Sequence, residues 1–117
     1  MDQLSMPTID AITMTDSSKL GIAFRKFHKE NPWVYQELVK LTFKLLGKGR
    51  KRYGMKGLFE VIRWHRAMET DADDGFKLNN NHTAFYARML MMNELRLKGF
   101  FVTRDSKADK GARHGNN

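Results

Sequence analysis

Residues 44–66 read KLLGKGRKRYGMKGLFEVIRWHR. They hold eight cations (Lys44, Lys48, Arg50, Lys51, Arg52, Lys56, Arg63 and Arg66) against one anion, Glu60, which is +7 of the chain's formal +8. Within them, residues 47–57 contain four glycines and five cations. Glycine is unfavourable in a helix interior and enriched where a helix stops. The stretch therefore reads as a helix end, a basic turn and the start of a second helix. That reading makes the chain a helical domain with its positive charge concentrated at one connection.

Working back from the turn, Val34, Leu38, Leu41 and Leu45 recur at spacings of 4, 3 and 4, the mark of an amphipathic helix. Trp33, Phe43 and Leu46 widen its apolar side. Asn31-Pro32 marks its start, with Asn31 as the expected N-cap and proline in the first turn. Before it, Ser17 or Ser18 is placed to cap a helix from about Lys19, with Leu20, Phe24 and Phe27 on one face. Residues 1–16 have no apolar period and are expected to form a flexible arm.

Working forward, a helix is predicted over about 56–68, with Leu58, Ile62 and His65 on one face and Val61, His65 and Met68 on an adjacent one. Residues 69–75, ETDADDG, form an acidic loop. Phe76-Lys77-Leu78 alternates as a short strand does, and Asn79-Asn80-Asn81 is a cap signal before a helix at about 82–95. That helix is expected to bury Phe85, Tyr86, Met89, Leu90 and Met92. Gly99-Phe100-Phe101-Val102-Thr103 reads as a second strand that pairs with the first. The polar residues 105–117 are expected to be a disordered tail. The expected architecture is α+β and mostly α: about four helices with a short two-stranded β element, similar to winged-helix domains, in one globular domain spanning 17–104.

Composition narrows the chemistry. With 117 residues and no cysteine, the chain is one domain without disulfides or thiolate metal sites. No apolar run reaches the roughly 18 residues of a membrane span, and residues 1–18 are acidic and polar where a secretory leader is basic and apolar, so a cytoplasmic protein is expected. A pI of about 9.9 with clustered charge favours polyanionic partners.

The segments Ile62-Arg63-Trp64, Phe76-Lys77-Leu78-Asn79-Asn80-Asn81, Tyr86-Ala87-Arg88 and Gly99-Phe100-Phe101 together resemble a group of small phage and prophage proteins of unassigned function. The resemblance covers about residues 24–104. It implies a mobile-element origin and a place in the bacterial host cytoplasm, and it carries no catalytic residues.

The candidate site is the basic turn and helix. Lys48, Arg50, Lys51, Arg52 and Lys56 are placed to reach phosphates from a glycine-rich turn, with Arg63 and Arg66 along a helical edge. Tyr53 and Trp64 can add stacking on exposed bases. The bland reading is a solvated turn neutralised by the acidic loop. Asn80, with Arg88 one to two turns on, is a second candidate for reading bases; helix capping is the commoner use of asparagine there. The turn is longer than a helix–turn–helix connection.

The signatures of catalysis are missing. Residue 55 is Met where a phosphate-binding loop has Lys, so the glycines do not make a nucleotide site. The acidic loop lacks calcium-loop spacing, and Glu60, Glu69, Asp71, Asp73 and Lys77 are only a formal set for a metal nuclease. The four histidines, His28, His65, His82 and His114, have no metal spacing. His65 is expected to be partly buried and His82 to sit at a helix start. The expectation is a non-enzyme without cofactor or metal that binds DNA or RNA. The alternative is a small inhibitor or modulator of a host nuclease or defence complex.

Overall fold

Ser18 opens the helix Lys19–Glu30. Its backbone is extended, and its hydroxyl accepts the Gly21 N–H at 3.1 Å, satisfying one of the amides that a helix start leaves unpaired. The computed structural model describes residues 15–70 and 75–102 and is mostly helical. Helix α1 spans Lys19–Glu30, α2 Pro32–Gly47, α3 Met55–Glu69 and α4 Thr83–Asn93. Short 3₁₀ turns at Asn80–His82 and Leu95–Leu97 flank α4. The expectations for residues 1–14, for Asp71, Asp73 and Asp74, and for the tail from 105 lie outside the described residues. Asp16, assigned to the arm, is held against α1: its carboxylate accepts the Ser18 N–H at 2.8 Å and its carbonyl accepts from Arg25 Nη1 at 2.7 Å.

Asn31 serves the helix before it instead of the one after. Both its backbone N–H and its Nδ2 donate to the Phe27 carbonyl, at 2.8 and 3.1 Å, and its side chain makes no cap bond to α2. Pro32 starts α2 without such a cap because its missing N–H is one that would have been unpaired there anyway. Helix α2 buries Val34, Tyr35 and Leu38, and the buried Thr42 hydroxyl donates to the Leu38 carbonyl at 2.7 Å.

The core is centred on aromatic rings. Phe24 is fully buried, with Tyr86, Phe85, His82 and His28 around it at centroid distances of 4.8–5.9 Å. Tyr86 also meets Tyr35 and Phe59, which ties α1, α2 and α3 to α4. Leu20, expected on the inner face of α1, is exposed, and His28 takes an inner position with only 1% of its surface accessible. Helix α3 buries Met55, Leu58, Phe59 and Ile62. His65 and Met68, expected to point inward, are exposed, and Arg66 is the residue of that last turn that packs on the fold, over Trp33 and Phe76. In α4, Phe85, Tyr86, Met89 and Leu90 are buried as expected, while Met92 is exposed.

The expected β element is absent: the described residues contain no strand. Phe76 packs on Trp33 and Phe27, and the Leu78 carbonyl accepts from Arg63, so a guanidinium stands where a partner strand would be. At the other segment, Phe100 and Phe101 are both buried, whereas a strand sends neighbours to opposite faces. Gly99 has φ +78° and the Phe100 N–H closes a turn on Leu97. Thr103 lies outside the described residues. Without these strands the winged-helix comparison has no structural basis.

Candidate nucleic-acid interface

The connection between α2 and α3 is a fixed turn. The Gly49 N–H donates to Leu46 and the Arg50 N–H to Leu45, at 3.0 and 3.1 Å. With Gly49 at φ +90°, these bonds form a Schellman motif, whose left-handed position suits glycine because it has no Cβ. At the far end the Tyr53 N–H donates to the Phe100 carbonyl at 3.4 Å. The backbone is thus tied on both sides of Arg50, Lys51 and Arg52, whose side chains are exposed, as are those of Lys48 and Lys56.

Among the described residues the ion pairs are Lys26–Glu30, Lys40–Glu37 and Arg63–Glu60. None includes a cation of the turn. Helix α3 has Gly54 as its N-cap, with no side-chain cap bond and no acid in its first turn. Among the described residues, then, the turn holds like charges together with no ion pair to offset them.

The other four predicted residues are engaged within the fold. Arg63 pairs with Glu60 at 2.9 Å, donates to the Leu78 carbonyl and donates to Asn80 Oδ1 at 2.6 Å. That contact also occupies the Asn80 side-chain oxygen. Arg66 lies over the rings of Phe76 and Trp33 at 4.7 and 5.1 Å, and Arg88 over Phe85 at 5.2 Å. The cap among the three asparagines is Asn79, whose Oδ1 accepts the Asn81 N–H at 2.8 Å.

Arg63 is accordingly a stability residue. Arg63→Met leaves the part-buried Leu78 carbonyl unpaired, and charge-assisted hydrogen bonds contribute about 1.5–3 kcal/mol. Urea unfolding is expected to show a loss of about 2 kcal/mol.

The fold adds cations that spacing along the chain does not associate with the turn. Arg96 stacks on Phe43 near the end of α2 at 4.7 Å, and the Phe100–Tyr53 bond brings the segment containing exposed Lys98 to the turn. Exposed Lys44 lies one turn before Gly47. Trp64, the second predicted stacking residue, is 62% exposed but stands about 12 Å along α3 from Lys56, beyond Glu60.

Among the described residues, no three of His, Asp and Glu converge to hold a metal ion, and no helix is long and apolar enough to cross a membrane. Comparison of the chain with protein-family models, with curated proteins and with solved structures finds no match.

Proposed function

We propose that this chain is a non-catalytic phage or mobile-element protein of the bacterial host cytoplasm that binds DNA or RNA through its basic turn. The observation that carries the reading is the turn itself: Lys48, Arg50, Lys51, Arg52 and Lys56 are exposed, held on a tied backbone and outside every ion pair among the described residues. Such a cluster costs the fold self-repulsion, and a phosphate backbone removes that cost while releasing condensed counterions. Exposed Lys44, Arg96 and Lys98 lie on segments that adjoin the turn.

Fluorescence anisotropy over a salt series tests this. Five phosphate contacts give a slope of log affinity against log salt of about −3.5 on single strands and about −4.5 on duplex DNA. Absence of binding at low salt overturns the reading.

One observation favours the alternative of a host-protein inhibitor or modulator. Trp64 and Met68, one turn apart on α3, are 62% and 67% exposed, and an exposed tryptophan is a common anchor of protein interfaces. On that reading Trp64→Ala releases a host nuclease or defence protein, while charge reversal in the turn has no effect on nucleic acid.

A further inference from the structure

Tyr53 is the aromatic residue inside the basic turn, with Arg50, Lys51 and Arg52 immediately before it and Lys56 three residues after. It is 42% exposed, although its backbone is tied to the buried Phe100. Its ring rests on α3 at Gly57. A Cβ at Gly57 would stand 3.1 Å from Tyr53 Cε2 and 3.6 Å from both Cζ and Oη, closer than ordinary packing at the first of these. The missing side chain of Gly57 is therefore what lets the ring settle there. A ring fixed from both its backbone and its edge has already lost much of the freedom that binding would otherwise remove.

The rest of this face is poorly suited to a duplex. A helix that reads a groove carries donors and acceptors along its outer side. The exposed side of α3 carries one lysine, two glutamates and one histidine beside Trp64, Ala67 and Met68, so cationic donors for a groove are few there. An exposed aromatic ring gains from bases only when their faces are free, and in a duplex those faces are already stacked on one another.

We propose that the ligand of this face is single-stranded nucleic acid, with one base stacked on Tyr53 and the neighbouring phosphates paired with Arg50, Lys51, Arg52 and Lys56. The inference rests on the polyanion reading above and adds the substrate class. It requires no sequence preference, because every base has a face to stack.

The test compares a labelled oligothymidine with a labelled duplex of the same length by anisotropy. Tyr53→Ala is expected to weaken the single strand about 5- to 150-fold and to leave the duplex affinity and the salt slope in place. Tyr53→Phe, which keeps the ring, is expected to bind as the parent does. Gly57→Ala places a methyl group against the Tyr53 ring while raising helix propensity, so it should lower single-strand affinity without lowering the melting temperature. Equal losses on both nucleic acids after Tyr53→Ala, or no loss on the single strand, overturn the proposal. The Arg50, Lys51 and Arg52 glutamate variant separates the two levels. If it binds as the parent does, the polyanion reading falls. If it loses binding while Tyr53→Ala loses none, only the stacking inference falls.

Discussion

Replacing Arg50, Lys51 and Arg52 together with glutamate is expected to abolish nucleic-acid binding and to leave the fold in place. The three side chains are exposed and outside the ion pairs of the described residues, so their loss removes no internal contact. The turn is held by backbone bonds, from Gly49 and Arg50 to α2 and from Tyr53 to Phe100, which the substitutions keep. Surface changes of this kind alter stability by about 0.5 kcal/mol or less per site. The effect on binding is far larger. The formal net charge falls from +8 to +2. Each phosphate contact contributes roughly 0.7–0.9 to the salt slope, so three lost contacts cost on the order of 100-fold at 0.1 M salt, before the new carboxylates add repulsion. Anisotropy, with a thermal melt as the folding control, measures both. Affinity retained in a folded variant would remove the turn from the interface.

Acidification below about pH 6.5 is expected to destabilise the domain, and the cause is in the aromatic core. His28 and His82 are both buried against Phe24. Neither nitrogen of His28, nor Nδ1 of His82, has a hydrogen-bond partner. Burial holds both imidazoles below the ordinary histidine range, because the protein interior disfavours the charged ring. Above the unfolded value of about 6.5 both rings are neutral whether the chain is folded or not, and this term is silent. As pH falls below it the unfolded chain takes up protons that the folded chain refuses, and stability drops. The loss continues until pH reaches the depressed folded values. Two such groups give a maximum slope of about 2.7 kcal/mol per pH unit, a large share of the 5–15 kcal/mol typical of a domain.

Urea unfolding at pH 7.5 and at intervals down to pH 5 measures the slope. His28→Leu, which exchanges an unpartnered ring for an apolar side chain of similar size, should about halve it while stability at pH 7.5 is kept or raised. A stability independent of pH across that range would mean that neither ring is buried in solution. The Asp16 carboxyl, held below its usual value first by its hydrogen bonds to Ser18, loses its contribution only at more acid pH, outside this window.

Much of the helical framework was legible along the chain. Ser18, Pro32 and Gly49 are local signals, and each stands where its chemistry places a helix boundary. The 3.6-residue spacing, which depends only on the residues of one helix, located Val34 and Leu38 in α2 and Phe85, Tyr86, Met89 and Leu90 in α4. Leu41 and Leu45, by contrast, are only half-buried, and Tyr35 and Thr42 take the other buried positions of α2. Misassignments arose where residue type does not reveal which partner a group takes. Asn31 looked like a cap for the following helix because the Phe27 carbonyl it serves is not visible from residue type. Phe76–Leu78 alternates, but Trp33 and Arg63 claim its ring and its carbonyl before a strand can pair with it.

The candidate site divides in the same way. Sequence alone placed the positive charge in 44–66, because charge is a property of composition. Which cations remain available was decided only by the tertiary structure. Arg63 and Arg66 lie beside a carbonyl and aromatic rings that other segments bring to them, Arg88 lies over Phe85 of its own helix, and a guanidinium with such a neighbour is part of the packing. Lys48, Arg50, Lys51 and Arg52 lie on a turn held by backbone bonds that do not involve their side chains, Lys56 lies in the first turn of α3, and all five side chains are exposed. Spacing also could not show Tyr53 settling on Gly57, or Arg96 and Lys98 arriving from beyond α4, since both follow from how the chain closes on itself.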